Sequence, residues 1–435
     1  MKPVNVGICG LGTVGSGTFK VLRDNADIIE ARAQSAVNLV HIGSRRDNPG
    51  CDPGGIRVSR DIFEVARDPE VDILIELIGG TTDAKHLVEA ALRSGKHVVT
   101  ANKALIAEYG NELIALAAQH NVTVRFEAAV AGGIPIIKAL REGLAGNRIQ
   151  WLVGIINGTG NFILTEMSEK GKQFSVALAE AQALGYAEAD PTFDVEGIDA
   201  AHKLVIMASI AFGMPLQFSQ VYTEGISRIT PQDIDYAREL GYQIKHLGVA
   251  KQTDGGVELR VHPTLIPQQR LLANVCGVMN AVLVEGSAVG PTLYYGAGAG
   301  AEATASAVVA DIVDLARDLA VDQIPQVLPL GVGADAIKEL PVIAIENVRN
   351  PWYLRMEAED RPGVMSQVAS VFSDNEISIE ALIQKAPAQD ETRVPVIVLT
   401  NATQECNLQK ALRSLEALDG VTGEIAGIRV ETLDG

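Results

Sequence analysis

The stretch Val4–Gly15, which reads VNVGICGLGTVG, decides the fold of the N-terminal part of this chain. Its first six residues form a short apolar run typical of a buried strand, and an apolar helical pattern follows through Leu22 and Ile29. Glycines between a strand and a helix allow a tight turn and let a pyrophosphate approach backbone N–H groups at the helix N-terminus. The alternative is a glycine-rich turn without a ligand, but the flanking strand and helix favour a dinucleotide site. The predicted cofactor turn comprises Gly10, Leu11, Gly12, Thr13, Val14 and Gly15.

Strands and helices alternate beyond this turn, which predicts a doubly wound parallel sheet of the Rossmann type. The predicted strands are Val37–Ser44, Val71–Ile78, His97–Thr100 and Val122–Phe126, and the predicted helices are Asp83–Ser94 and Ala104–Gln119. Ligands of such sheets bind outside the carboxyl ends of the strands, so we expect Thr81, Asn102, Lys103 and Glu127 to lie toward the cofactor. A lysine at a helix start opposes the helix dipole, which favours a functional role for Lys103.

The second predicted strand ends in Arg45-Arg46-Asp47 rather than in a lone acidic residue. A carboxylate at this place binds the ribose 2′-hydroxyl of NAD, whereas arginines accommodate the 2′-phosphate of NADP. Arg45 and Arg46 therefore predict NADP, while Asp47 leaves NAD open.

Length, charge and composition exclude several classes of protein. The chain has 435 residues, a formal net charge of −18 and 47% hydrophobic residues, which is sufficient for two or three domains. The negative charge is spread along the sequence, which argues against nucleic acid or an anionic membrane as partner. Apolar stretches end well before the roughly 20 residues of a membrane span, and no signal sequence is recognisable. We expect a cytoplasmic protein with reduced, structural cysteines.

Asp199 and Lys203 are spaced i, i+4 at the start of an otherwise apolar helical run, Gly197 to Phe212. This spacing places both side chains on one helix face. Charges in such surroundings cost several kcal/mol unless they are paired, so the pair is a candidate site. A purely structural ion pair is the alternative reading of the spacing alone.

Six motifs together resemble the homoserine dehydrogenase family. They follow one another in family order: GLGTVG (10–15), TANKALI (100–106), EAAVAGGIPII (127–137), NGTGNFILTEM (157–167), GYAEADPTFDVEGIDAAHKL (185–204) and GAGAG (296–300). The resemblance implies NAD(P)-dependent interconversion of L-homoserine and L-aspartate 4-semialdehyde, in threonine, methionine and isoleucine biosynthesis. Because no aspartate-kinase segment precedes Met1, we expect a monofunctional enzyme, and the resemblance implies a homodimer or homotetramer.

The resemblance also assigns roles to individual residues. It implies Lys203 as proton donor and acceptor, with Lys103 as a second catalytic group. The implied substrate-binding residues are Glu188 and Asp199. Thr159 and Asp194 are further candidates for substrate binding, and a helix cap is the alternative role of Asp194. Besides the glycine turn and the two arginines, Gly185 and Gly300 are implied to line the cofactor, with Lys103 near it. Thr81, Thr100 and Glu302 are further candidate cofactor residues. A monovalent metal site, taken as sodium, is implied at Glu127 and the carbonyl groups of Val130, Gly132 and Ile134.

The C-terminal part repeats a strand and helix order of its own. The pattern βαββαβ, with DRPGV at 360–364 opening its first helix, resembles an ACT domain, which often binds amino acids. Threonine is the effector that the resemblance suggests, and a module that only dimerises is the alternative. We therefore predict four parts. They are a nucleotide-binding domain at 1–130 completed by about 301–330, an α+β substrate-binding and dimerisation domain at 131–300, a linker at 331–350 and the ACT domain at 351–435.

Other classes of protein remain as alternatives. A phosphorylating semialdehyde dehydrogenase needs a cysteine thiolate near a histidine, and neither Cys9 nor Cys276 has that setting. No Ser-His-Asp arrangement stands out in the sequence. A non-catalytic NADP-binding amino-acid sensor, or another semialdehyde reductase, is the remaining alternative, and a sensor has no use for a proton donor such as Lys203.

Overall fold

The computed structural model describes residues 2–321, 327–385 and 393–433, which divide into two compact units. The first unit comprises Met1–Gly158, Asp199–Val221 and Val278–Leu340. The second comprises Thr159–Ile198, Tyr222–Gly277 and Pro341–Gly435. Among the helices of the described ranges, none has the length and apolar character that crossing a membrane requires.

The N-terminal part of the first unit is a six-stranded parallel sheet flanked by helices. Its elements are β1 (Val4–Cys9), α1 (Thr13–Asp24), α2 (Ala26–Ala33), β2 (Val37–Gly43), β3 (Arg57–Ser59), α3 (Ile62–Arg67), β4 (Ile73–Glu76), α4 (Thr82–Arg93), β5 (His97–Thr100), α5 (Lys103–Gln119) and β6 (Val124–Arg125). The strand order is β3-β2-β1-β4-β5-β6, which is the order of a dinucleotide-binding sheet. The predicted doubly wound Rossmann-type sheet is confirmed.

The middle of the chain contributes to both units. Its elements are α6 (Ile136–Lys138), β7 (Ile149–Ile155), α7 (Gly158–Lys170), α8 (Phe174–Ala183), α9 (Thr192–Val195), α10 (Ile198–Phe212), β8 (Tyr222–Thr223), α11 (Pro231–Glu239), β9 (Tyr242–Thr253), β10 (Gly256–Pro267), β11 (Met279–Gly286), β12 (Gly290–Ala297) and α12 (Ala301–Ala320). In the first unit β7, β11 and β12 form antiparallel pairs. In the second, β9 and β10 form a long antiparallel hairpin.

Helix α12 packs on the parallel sheet although it begins only at Ala301, whereas the last strand of that sheet ends at Arg125. Its apolar residues Val308, Ile312 and Leu315 share a core with Val6 and Ile75 of the strands. All five side chains are fully buried. A late segment therefore covers one face of the N-terminal sheet.

The C-terminal module has the predicted βαββαβ order, to which β13 and β17 add a separate pair of two-residue strands. Its elements are β13 (Arg349–Asn350), β14 (Trp352–Glu359), α13 (Val364–Asp374), β15 (Ile379–Gln384), β16 (Arg393–Thr400), β17 (Thr403–Gln404), α14 (Glu405–Glu416) and β18 (Val421–Val430). Strands β18, β14, β16 and β15 form an antiparallel sheet in that order. Apolar residues of α13 and α14, such as Phe372 and Leu408, pack with Leu354 and Val396 of the strands.

The module is joined within the second unit to the long hairpin. Strand β18 pairs in parallel with β10, with Thr264 opposite Arg429. The guanidinium of Arg429 is 1% exposed and donates to the carboxylates of Glu405 and Glu224, each at 2.5 Å. Arg355 of β14 likewise donates to Asp233 of α11 at 2.6 Å. Buried ion pairs thus bind the module to neighbouring elements of the same unit.

Candidate active site

In the glycine turn between β1 and α1, two glycines lie too close to backbone oxygens to carry a side chain, and a third faces open space. Gly10 has a φ of +100°, and a Cβ there would lie 2.6 Å from the carbonyl oxygen of Leu77. A Cβ on Gly15 would lie 2.0 Å from the carbonyl oxygen of Gly10. Gly12, the N-cap of α1, has no protein atom within 4 Å of its Cβ position. The open side therefore lies at the helix N-terminus, where a pyrophosphate binds.

A cavity of about 880 Å³ opens beside this turn, and three arginines line it: Arg45, Arg46 and Arg60. Arg60 donates to the carbonyl oxygen of Ser44 at 3.1 Å and to the carboxylate of Asp47 at 2.7 Å. The acid that left NAD open is therefore paired with a third arginine, although both side chains are exposed and solvent screens the pair. Sequence reasoning missed Arg60, because it follows β3, a strand of three residues that has no recognisable pattern.

Asp199 lies between two lysines in the first unit. Its Oδ2 accepts a hydrogen bond from the ammonium of Lys203 at 2.6 Å, and its Oδ1 lies 3.0 Å from Nζ of Lys103. Nδ2 of Asn157 donates to the same carboxylate at 2.9 Å, and Lys203 also donates to the carbonyl oxygen of Ile156 at 2.7 Å. Asp199 is 4% exposed and Lys203 is 9% exposed. The structure thus brings together three residues that the sequence singled out.

The charges of this cluster determine its ionisation. Burial by itself would raise the pKa of Asp199, but the ammonium groups of Lys203 and Lys103 outweigh burial and hold that pKa well below its ordinary value. Asp199 is therefore an ionised carboxylate shared by two cations. Lys103 begins α5 next to the N-cap Asn102, where the helix dipole disfavours a cation, and its pairing with Asp199 offsets that cost.

Four more predicted site residues lie in the second unit. The hydroxyl of Thr159 on α7 donates to the carbonyl oxygen of Tyr186 at 2.7 Å. Gly185 follows α8 with a φ of +76°, and the carbonyl oxygen of Glu188 accepts from the side chain of Gln182 at 3.0 Å. The side chain of Glu188 is exposed, and Asp194 is partly buried on α9. Thr159 is thus tied to the segment that carries Gly185 and Glu188.

Comparison with known proteins identifies the family. Residues 135–313 match the family model described as homoserine dehydrogenase, residues 10–127 match its NAD binding domain, and residues 352–417 match the ACT domain. Homoserine dehydrogenase of Pseudomonas aeruginosa is 59% identical over 434 residues, covering 100% of both chains. The chain belongs to the homoserine dehydrogenase family. The crystal structure of a homoserine dehydrogenase from Thiobacillus denitrificans has a TM-score of 0.95 and 55% identity, covering 100% of this chain and 99% of the other.

These matches confirm the family resemblance, the nicotinamide-dependent oxidoreductase class and the ACT domain. A hyperthermophilic archaeal homoserine dehydrogenase in complex with NADPH is similar at a TM-score of 0.61 and 28% identity, over 72% of this chain and 97% of that one. The glycine turn of the present chain fits such a cofactor, because the space beside Gly12 at the N-terminus of α1 is open.

Three predicted cofactor residues lie at helix or strand ends. Thr81 is the N-cap of α4, and Gly300 is the N-cap of α12 with a φ of +126°. The Thr100 hydroxyl is fully buried and donates to Glu76 at 2.5 Å. The remaining one, Glu302, forms an exposed ion pair with Lys20 of α1. Direct cofactor contact by these four residues stays a prediction.

Glu127, the predicted metal ligand, is 1% exposed. Its carboxylate accepts from the backbone N–H groups of Ile137 at 3.0 Å and Lys138 at 2.8 Å. Burial and the neighbouring Asp311 raise its pKa to about 8. In the described part of the chain, no group of three or more His, Cys, Asp or Glu side chains could hold a metal ion. A site built from Glu127 and the carbonyl groups of Val130, Gly132 and Ile134 stays a prediction.

His202, beside Lys203 on α10, is a residue of the site that sequence reasoning missed. It is 2% exposed and its ring stacks on Phe218 at 4.2 Å between centroids. Burial and the charge of Lys103 lower its pKa to about 4, so the ring is neutral at pH 7. Its position directly before Lys203, a predicted catalytic lysine, is the feature of the sequence that could have indicated it.

The structure also contains a Ser-His-Asp arrangement, contrary to the expectation from sequence. His41 contacts Asp68 at 2.6 Å and the hydroxyl of Ser59 at 2.8 Å. That hydroxyl donates to Glu64 at 2.7 Å, and Ser59 is only 7% exposed. A serine nucleophile must be accessible and give its proton to the histidine. This cluster instead joins β2 and β3 to the segment around α3.

Proposed function

We propose that this chain interconverts L-homoserine and L-aspartate 4-semialdehyde with NADP, with Lys203 as proton donor and acceptor. The observation that carries the proposal is the buried pair of Asp199 and Lys203, joined by the partly exposed Lys103, in a chain with a dinucleotide-binding sheet. When bound, the nicotinamide would supply or accept the hydride at the carbonyl carbon. The product alcohol, homoserine, then serves threonine, methionine and isoleucine biosynthesis.

Lys203 is suited to the proton step by its surroundings. Reduction of an aldehyde leaves negative charge on the oxygen, and an ammonium donor neutralises that charge as it develops. Asp199 and the Ile156 carbonyl orient the Lys203 ammonium, and burial of the pair strengthens its field. In the opposite direction the same nitrogen takes the hydroxyl proton. Lys103, bound to the other oxygen of Asp199, is proposed to share this work.

Further residues are proposed to bind the substrate and a cation. Glu188 and Asp199 suit the ammonium group of an amino acid, and Thr159 and Asp194 are proposed as additional substrate contacts. Sodium at Glu127 would favour the ionised form of a carboxylate that burial otherwise disfavours. The chain is also proposed to form a homodimer or homotetramer and to bind threonine as effector at its ACT domain.

NADP is the proposed cofactor rather than NAD. Arg45, Arg46 and Arg60 line one cavity, and Arg60 forms an ion pair with the carboxylate of Asp47. Three cations suit a 2′-phosphate. Three acids also line the cavity, of which Asp47 is paired with Arg60 and Asp61 caps the start of α3, while Asp83 is the third. The archaeal relative in complex with NADPH is consistent with this choice.

The rival with a cysteine nucleophile receives no support from Cys9. Burial, together with Glu76 and Asp61, raises the pKa of the Cys9 thiol far above its ordinary value. A nucleophilic cysteine requires the opposite shift.

The experiment that tests the proposed function follows NADPH oxidation by the purified protein with L-aspartate 4-semialdehyde. The expected result is turnover with this aldehyde, and NADP reduction with L-homoserine in the reverse direction. NADPH binding without turnover of either substrate would favour the sensor class instead.

A further inference from the structure

Glu76 is a fully buried carboxylate that the proposed proton transfer does not use. It is the last residue of β4, at the carboxyl end of the parallel sheet, and it is 0% exposed. Burying an ionised side chain is costly unless hydrogen bonds replace the lost water. An apolar side chain would hold this strand in the sheet at lower cost. The contacts of Glu76 therefore need an explanation other than packing.

The two oxygens of Glu76 bind two different turns. Oε1 accepts hydrogen bonds from the backbone N–H groups of Ile78 at 2.9 Å and Gly79 at 3.2 Å, in the turn after β4. Oε2 accepts from the hydroxyl of Thr100, the last residue of β5, at 2.5 Å. Burial raises the pKa of Glu76, and these hydrogen bonds offset only part of that rise. Three donors thus converge on a group that only accepts when it is ionised.

Asn102 closes these contacts into a ring. The Thr100 oxygen accepts from the backbone N–H of Asn102 at 2.9 Å, and Nδ2 of Asn102 donates to the carbonyl oxygen of Gly80 at 2.6 Å. Gly80 belongs to the turn that Glu76 binds. Oδ1 of Asn102 also caps α5 by accepting from the N–H of Leu105 at 3.1 Å. The ring therefore connects the turn after β4 with the start of α5.

Both sides of this ring adjoin the candidate active site. Ile78 and Gly79 line the cofactor cavity, and Lys103, the first residue of α5, pairs with Asp199. We infer that Glu76 is a positioning residue, which holds the cavity wall and the Lys103 ammonium in one fixed arrangement. This role rests on the proposed function, because it gives Lys103 a part in the chemistry.

The direction of the hydrogen bonds requires acceptors at Glu76. Thr100 has one hydroxyl proton, which it donates to Glu76 while its oxygen accepts from Asn102. If the glutamine N–H groups face Thr100, the hydroxyl oxygen can accept one of them, but the hydroxyl proton then loses Glu76 as its acceptor. If they face the turn, they lie against the N–H groups of Ile78 and Gly79, which cannot accept. Glu76→Gln is therefore a nearly isosteric change that removes at least one hydrogen bond of the ring.

A matched control separates positioning from plain stability. Asp68 is another buried carboxylate of the first unit, which accepts from the N–H of Glu70 at 3.0 Å and contacts His41 at 2.6 Å. Glu76→Gln and Asp68→Asn both exchange a carboxylate oxygen for an amide, and both should lower Tm. Only Glu76→Gln should raise the Kd of NADPH about fivefold and lower kcat about tenfold, as loss of one or two hydrogen bonds predicts. Asp68→Asn should leave both quantities within about twofold of wild type.

A double-mutant cycle tests whether Glu76 acts through Lys103. In a Lys103→Ala background, Glu76→Gln should lower kcat by less than about twofold, because the lysine it positions is absent. Full additivity of the two effects on kcat would contradict the inference. Thr100→Val removes both hydrogen bonds that the Thr100 hydroxyl makes in the ring and should show the same change in kcat and Kd, which keeps the test available if Glu76→Gln does not fold.

The inference is overturned if Glu76→Gln lowers Tm but leaves the NADPH Kd and kcat at their wild-type values. The NADPH Kd is measured by titration without the aldehyde, so it tests the cavity side of the ring independently. If the wild-type protein binds NADPH but does not reduce the aldehyde, the proposed function is wrong. The inference that the ring holds the cavity wall would still be tested by the NADPH Kd.

Discussion

Asp199 determines the charge state of the candidate site, because its buried carboxylate contacts two ammonium groups at once. Removing one partner of a buried charge pair leaves the other uncompensated, which is strongly destabilising. The second lysine changes this expectation. Loss of Lys203 leaves Asp199 paired with Lys103 at 3.0 Å, so variants of Lys203 should keep the fold of the site.

Arg60 should contribute to cofactor choice although it was not apparent from the sequence. Arg60→Ala removes one cation from the cavity and frees Asp47, so we expect the ratio of kcat/KM for NADP over NAD to fall about tenfold. The nearby Arg57 pairs with Glu64 and Asp68 and does not line the cavity, so Arg57→Ala is the matched control. An unchanged ratio in Arg60→Ala would remove this arginine from the argument for NADP.

Residues differ in how far their role is visible in the sequence. Asp199 and Lys203 were apparent because charges at i, i+4 in an apolar helix are costly, and Lys103 because a lysine opposes the dipole at a helix start. Arg60 and Glu76 were not, since their significance lies in contacts with residues distant in the chain. The role of Arg60 depends on its contact with Ser44 in the loop after β2, and the role of Glu76 depends on its hydrogen bond with Thr100 of β5.

At the scale of elements, the turn into α1 gives a pair of contrasting predictions. Gly12→Ala should keep Tm close to wild type, because its φ of −71° suits alanine and no protein atom is near. It should nevertheless weaken NADPH binding, since the added methyl group occupies the approach to the helix N-terminus. Gly15→Ala should instead destabilise the protein, because its Cβ would overlap the Gly10 carbonyl oxygen. Thermal unfolding and NADPH titration of both variants check this, and equal Tm losses would contradict it.

Elements with a strong local pattern were predictable. Strand His97–Thr100 has the predicted bounds, because an apolar run between turn residues defines it. The segment that begins at Ile136 is a short α-turn followed by a π-helical turn at Ala139–Gly143, where Arg141 is held in a buried position. Packing rather than local propensity decides such a segment, so the sequence pattern could not reveal it.

At the scale of the molecule, the ACT module is a structural part of the second unit. Truncation after Ile345 removes β18 from β10, Arg429 from Glu224 and Arg355 from Asp233. Breaking a single buried ion pair costs roughly 3–5 kcal/mol, so we expect the truncated chain to show a large fall in Tm or to be insoluble. A truncated protein with wild-type Tm and activity would contradict this. A selective test of the threonine effect therefore needs point substitutions in the module.

Buried histidines should make the whole molecule sensitive to acid. Burial lowers the pKa of His97, His202 and His246 from 6.5 to about 4. The unfolded chain then binds more protons than the folded one between these values, so stability is lost as pH falls from 6.5 toward 4. For His246, one group shifted by this amount gives roughly 2 kcal/mol between pH 7 and pH 5.

His246→Gln is the variant that measures this contribution, because its amide can still donate to the carbonyl oxygen of Glu224 that the ring contacts at 2.9 Å. Urea unfolding at pH 7 and pH 5 should show a smaller loss of unfolding free energy in the variant than in wild type. Equal losses in both proteins would show that His246 does not titrate as burial predicts.

Lys203 is proposed to donate and accept the reacting proton, and the decisive measurement is kcat for NADPH oxidation with L-aspartate 4-semialdehyde by Lys203→Met. The NADPH Kd and Tm are measured in parallel on the same protein. We predict that kcat falls by about 10²- to 10⁴-fold, while the NADPH Kd stays within about twofold of wild type. A Lys203→Met variant that binds NADPH and retains kcat near the wild-type value would contradict the account.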